Sequence, residues 1–144
     1  KLDPDQLAAT APFSFKARDG QVLHGYLTLP KGSDGKKLPM VVNPHGGPMG
    51  IADVWGFDRD VQLMASRGYA VMRVNFRGSG NHGSQFERAG YRQWGGLMQD
   101  DLTDATRWAI TQGIADPGRI CIYGASYGGY AALMGAVKEP DLYR

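Results

Sequence analysis

Hydrophobic positions along this chain fall into short blocks, and their spacing changes at Leu38. Before it, Pro12–Ala17 and Gln21–Leu29 flank Arg18-Asp19-Gly20, which predicts a β-hairpin closed by an Asp-Gly turn. Residues 31–37 read as a charged loop with glycines. After Leu38, short apolar runs alternate with stretches of helical period. Met40-Val41-Val42 predicts a strand, and Asp58–Arg67, with Val61, Met64 and Ala65 on one face, a helix. Tyr69–Phe76 is apolar enough for a strand buried on both faces. Residues 78–96 read as irregular with one helical turn. Asp101–Thr111 predicts a helix capped by Asp101 with Asp104 and stopped by Gly113. Ile120–Tyr123 completes the strands, and Tyr127–Val137 is a last helix ended before Pro140. A hairpin followed by β-α-β-α-β-α implies an α/β fold, its mostly parallel sheet flanked by helices.

Between the last predicted strand and helix stands Gly124-Ala125-Ser126-Tyr127-Gly128, a G-x-S-x-G sequence in the strand–turn–helix context of a nucleophile elbow. So tight a turn leaves no room for side chains two positions either side of the serine, and the following helix aims its N-terminal N–H groups at the reacting centre. Composition alone predicts ~0.12 such matches, so chance is a poor explanation. Directly after the first parallel strand comes Asn43-Pro44-His45-Gly46-Gly47-Pro48. A glycine loop there can offer a backbone N–H to the oxyanion of a tetrahedral intermediate, and Tyr127, the residue after the nucleophile, can offer another.

A rival motif, Gly78-Ser79-Gly80-Asn81-His82-Gly83, matches the G-x-G-x-x-G of dinucleotide-binding folds. With 21 glycines in the chain, ~0.43 such matches arise by chance. The downstream acidic pair Asp100-Asp101 opens a helix instead of ending a strand. No cofactor is therefore expected. Of the three histidines, His24 reads as a surface residue, His45 as a shaper of the glycine loop and His82 as a loop hydrogen-bonding group. Their spacing is not that of a metal site. Sixteen basic and 14 acidic residues are spread without a basic stripe, which argues against nucleic acid, and no apolar run is long enough for a membrane span. Cys121, the only cysteine, rules out an internal disulfide and reads as a small buried hydrophobe. It suits cytoplasm or periplasm, the former slightly favoured.

Together with Trp55-Gly56-Phe57, Asn75-Phe76-Arg77-Gly78-Ser79, Tyr91-Arg92-Gln93-Trp94-Gly95 and Asp100-Asp101, these motifs make residues 13–144 resemble the prolyl oligopeptidase family, nearest its acylaminoacyl-peptidase and dipeptidyl-peptidase-like members. The resemblance implies an α/β-hydrolase fold and a serine peptidase acting on short peptides through an acyl-enzyme on Ser126. It implies oxyanion donors at Tyr127 and Gly47, with Gly46 beside them, and Arg77 and His45 lining the substrate site. It also implies a β-propeller before the catalytic domain, with residues 1–12 as the connector, and it leaves homo-oligomerisation open. For Trp94 and Asp100 a structural role is expected, as a buried aromatic and a helix start. The α/β-hydrolase triad runs Ser, Asp, His along the chain. Only 18 residues follow Ser126, with no histidine and a single aspartate, Asp141. The expectation is that the catalytic Asp and His lie beyond Arg144 and that the 144 residues alone are inactive. An esterase built on the same elbow, and a binding module that has lost its triad, are the alternatives.

Overall fold

The computed structural model describes residues 2–144. β1 (Thr10–Lys16) and β2 (Val22–Thr28) form the hairpin, with Gly20 at φ 87° in its turn. β3 (Leu38–Val42), α1 (Arg59–Ser66), β4 (Ala70–Asn75), α2 (Ser84–Arg88), α3 (Leu97–Thr111), β5 (Ala115–Ile122) and α4 (Tyr127–Lys138) follow. The sheet order is β1-β2-β4-β3-β5; β3 pairs in parallel with β4 and β5, while β2 meets β1 and β4 antiparallel. Every residue of β4 is buried, Arg73 and Asn75 included, as befits a strand paired on both sides and covered on both faces.

The alternation of side chains across the sheet builds two cores. Leu23, Met40, Val42, Met72, Val74 and Ile120 face α3, which adds Met98, Leu102, Ala105 and Ala109, and α4, which adds Ala131. On the opposite face Val41 and Val71 are buried with Val61 and Ala65 of α1. The Asp58 carboxylate caps α1 by accepting from the Val61 N–H at 2.9 Å. No helix among the described residues is long and apolar enough to cross a membrane.

The structure corrects several expectations. α3 begins at Leu97, four residues ahead of Asp101, so Asp101 lies inside the helix, fully buried, and caps nothing. β5 begins at Ala115 because a bulge absorbs Asp116-Pro117-Gly118, a sequence that reads as a turn. Asp116 accepts from the Gly118 N–H at 2.9 Å within it. Cys121 is exposed among the described residues: β5 lies at one edge of the five-stranded sheet they form, and α1 packs over β4 and β2. The N-terminal connector is partly structured, since β1 takes in Thr10 and Ala11 and the Gln62 amide bonds both the N–H and C=O of Ala8.

Candidate active site

Ser126 stands between β5 and α4 at φ 55°, ψ −122°, a region that a residue with a Cβ rarely enters and that costs about 1–3 kcal/mol. The neighbours enforce it. A Cβ on Gly124 would lie 2.8 Å from Gly128 Cα, and one on Gly128 would lie 2.4 Å from the Pro44 carbonyl oxygen. Both glycines of the elbow are thus demanded by backbone-to-backbone contact. Ser126 is exposed and sits at the N-cap of α4, yet its hydroxyl makes no capping bond among the described residues. A serine at that position ordinarily spends its oxygen on the helix; here the oxygen projects free, with the N–H groups of the first turn and the positive helix end beneath it.

The loop after β3 closes against this turn. Asn43 donates from Nδ2 to the Tyr123 carbonyl at 2.8 Å. A Cβ on Gly46 would lie 3.5 Å from Ser126 Cβ, in ordinary contact, so Gly46 borders the serine side chain. A second loop, following β4, holds the first in place: Gly50 N–H bonds the Gly78 carbonyl (3.1 Å) and Gly80 N–H bonds the Ile51 carbonyl (3.0 Å). Gly80 has no room for a side chain, since a Cβ would meet the Gly50 carbonyl oxygen at 2.3 Å. Close packing of two loops accounts for Gly80 and Gly78, whereas Gly83 stands in open space at φ 89°.

His45 uses both ring nitrogens inside this arrangement, Nδ1 on the Gly46 carbonyl oxygen (2.7 Å) and Nε2 on Ser79 Oγ (2.8 Å). That commitment leaves neither nitrogen to take a proton from Ser126. The His45 ring stacks on Phe76 at 4.4 Å, Phe76 meets Tyr127 at 5.4 Å, and Trp94 meets Tyr127 edge-on at 4.9 Å. These aromatics form the floor of the elbow. Burial pushes the Tyr127 hydroxyl well above the ordinary phenol range, so it stays protonated. Trp94 belongs to this floor but is half exposed, not buried as expected.

Arg77 is the residue whose placement departs most from the expected substrate mouth. Its side chain is 7% exposed and its guanidinium donates to Asp101 from Nη2 (2.6 Å) and Nε (3.1 Å), and to Asp19 from Nη1. The pair with Asp101 joins β4 to α3, and that with Asp19 ties in the hairpin turn. Asp100 lies in the first turn of α3, as a helix start should, and accepts from Lys138 Nζ at 2.8 Å. His24 and His82 stack on each other with ring centres 5.6 Å apart, lining a cleft of about 400 Å³ with Asp53 and Asn75. No group of three or more His, Cys, Asp or Glu among the described residues is placed to hold a metal ion. Sequence reasoning passed over Ser79 and Phe76 as site residues, although both lie within the Asn75–Ser79 motif it singled out.

A parallel sheet entered by an antiparallel hairpin, with a serine at a strained strand-to-helix turn, defines the α/β-hydrolase fold class. Within that class the chain belongs to the prolyl oligopeptidase family, whose model matches residues 55–144. It is 41% identical over 150 residues to dipeptidyl aminopeptidase BIII of Pseudoxanthomonas mexicana, covering 99% of this chain and 22% of that protein. Among solved structures, the acylaminoacyl peptidase of Pyrococcus horikoshii is 32% identical with a TM-score of 0.83, over 96% of this chain and 22% of that one. A puromycin-hydrolyzing peptidase of Mycobacterium tuberculosis is 30% identical with a TM-score of 0.88, over 99% and 22%. The chain therefore spans about a fifth of the length of these relatives.

Proposed function

We propose that the intact protein is a serine peptidase of the oligopeptidase type, hydrolysing short peptides through an acyl-enzyme on Ser126. The observation that carries this reading is the Ser126 backbone at φ 55°, ψ −122°, which withholds the hydroxyl from helix capping and sets it beside the Gly46–Gly47 loop. In the reaction, Ser126 Oγ attacks the scissile carbonyl carbon while a histidine base removes its proton, and the carbonyl oxygen becomes an oxyanion. The Tyr127 and Gly47 N–H groups donate to that oxyanion, the C–N bond breaks, and the amine leaves with the proton returned by the base. Water then releases the acyl group by the same steps in reverse.

The base and its orienting aspartate follow the nucleophile in α/β-hydrolases. No histidine follows Ser126 in these 144 residues, and both groups are assigned here to the segment after Arg144. The names of the relatives, dipeptidyl aminopeptidase and acylaminoacyl peptidase, support short peptides as substrates and cleavage near the N-terminus. A β-propeller preceding the connector of residues 1–12 belongs to the same reading.

The test uses the full-length protein. A fluorophosphonate probe should label it covalently, and Ser126→Ala should abolish both labelling and amide hydrolysis, with kcat/KM down by about 10⁴ or more. Comparing a dipeptide p-nitroanilide carrying a free amine with an N-acetylated amino-acid p-nitroanilide separates the two peptidase types. Ester cleavage with no amide turnover would move the reading to an esterase, and an unlabelled full-length protein would leave only a binding module.

A further inference from the structure

A hydrolase chooses among substrates through side chains that flank the reacting carbonyl without taking part in the bond changes. Ile51 is placed as such a side chain. A Cβ on Gly47 would lie 2.8 Å from Ile51 Cγ1, so Ile51 fills the place that a side chain on the donor residue would take. Although aliphatic, Ile51 is 51% exposed, and the Gly46–Gly47 loop it leans on borders Ser126. Its backbone is fixed from both sides: the Ile51 carbonyl accepts from the Gly80 N–H at 3.0 Å, and the Gly50 N–H bonds the Gly78 carbonyl at 3.1 Å. Across Gly50 stands the carboxylate of Glu87, from α2. A Cβ on Gly50 would lie 3.6 Å from Glu87 Oε1 and 3.9 Å from Oε2, and with no side chain there that space is open. Glu87 is partly buried, yet among the described residues no lysine, arginine or histidine pairs with it. A partly buried carboxylate ordinarily finds its cation within the fold; this one is left without, next to an exposed aliphatic surface.

We propose that Ile51 and Glu87 form a selectivity subsite that takes a lysine or arginine side chain of the peptide, from a residue adjoining the bond that Ser126 attacks. The methylene stem of such a side chain lies along Ile51, and its cation reaches the Glu87 carboxylate through the space left by Gly50. Neither residue touches the reacting atoms. The inference rests on the Ser126 nucleophile and Gly47 donor reading above and adds to it the class of side chain the site takes. It assigns the two residues separable parts: Ile51 serves any long aliphatic stem, whereas Glu87 tells a cation from a neutral group of the same length.

The experiment follows cleavage of tetrapeptides by the full-length protein with mass spectrometry, using free and N-acetylated forms. The residue before the cleaved bond, or the one after it, is varied among Lys, Gln, norleucine and Glu. At one of these two positions Lys should exceed Gln by about 5- to 20-fold in kcat/KM, with Glu the poorest. Glu87→Gln should remove the advantage of Lys over Gln and leave norleucine within about twofold of the parent, while Ile51→Ala should lower Lys and norleucine alike, by about 3- to 10-fold. Raising the salt from about 0.05 to about 0.5 M should shrink the Lys advantage in the parent and change nothing in Glu87→Gln. Melting temperatures identify folded variants; if Glu87→Gln fails to fold, the salt dependence of the parent carries the result. No Lys advantage at either position, or one that survives Glu87→Gln, would overturn the proposal. Fluorophosphonate labelling is run in parallel: labelling lost in Ser126→Ala upholds the nucleophile even if the subsite fails, whereas a parent that takes no label and cleaves no peptide brings down both.

Discussion

Ser126 shows what a single residue can be made to do by its neighbours. Its strained φ/ψ persists because Gly124, Gly128 and the Pro44 carbonyl leave the chain no other path. An alanine at position 128 would drive a methyl group to 2.4 Å from that carbonyl oxygen, and both partners are backbone with little room to yield. Gly128→Ala should therefore cost about 2 kcal/mol or more of stability and, by displacing the Pro44–Gly47 loop, slow fluorophosphonate labelling of the full-length protein. Gly56→Ala is the control: nothing lies within 4 Å of the added methyl, and the change should stay within about 0.5 kcal/mol. Chemical denaturation of both variants checks the contrast. The elbow glycines were legible in sequence because their requirement is local and steric. The exposure of Cys121 among the described residues was not, because it depends on which elements pack over β5.

Between elements, the strongest polar link is Arg77 with Asp101, which ties the end of β4 to α3 with both side chains almost wholly enclosed. Asp101 reads in sequence as a helix cap because a cap and a buried ion-pair partner present the same residue type at the start of a helical run. Only the position of β4 shows which partner it takes. Asp101 first, and Asp19 after it, hold the Arg77 guanidinium more basic than a free arginine, and Arg77 in turn holds the Asp19 carboxyl below the usual range. Asp101→Leu removes the buried partner and leaves Arg77 only the partly exposed Asp19, and should cost about 3–5 kcal/mol. Replacing both members, Arg77→Met with Asp101→Leu, should recover a large part of that loss. Because the pair is structural, the double variant should keep fluorophosphonate labelling; labelling lost in a folded double variant would return Arg77 to the substrate site.

On the scale of the whole molecule, the hairpin, the loop after β4 and α2 meet where His24 stacks on His82 and His82 meets the Phe86 ring at a tilt. Burial, and then the neighbouring His24 ring, push the His82 imidazole below its ordinary 6.5. The folded protein then binds the His82 proton less tightly than the unfolded chain. This contribution to stability is complete above about pH 6.5 and is lost as the pH falls through that value towards the lower folded pKa. Melting curves between pH 8 and 5 should show a steeper acid-side decline for the parent than for His82→Gln; parallel curves would mean that His82 titrates normally. Such long-range contacts also explain why residues 8–11 are ordered. The Gln62 amide that pins Ala8 comes from α1, and the Trp55 indole N–H donates to the Thr10 carbonyl at 3.1 Å.

The sequence by itself determined the order of hairpin, strands and helices, the fold class, the serine at the elbow and the glycine loop that faces it. Those features arise from period, turn chemistry and steric demands that operate within a few residues. Tertiary structure alone decided that Asp101 pairs with Arg77, that β5 carries a bulge and an exposed cysteine, and that His45 joins Gly46 to Ser79. Each of these depends on a partner distant in the chain, and a residue's type states which bonds it can make without stating which partner the fold will bring to it.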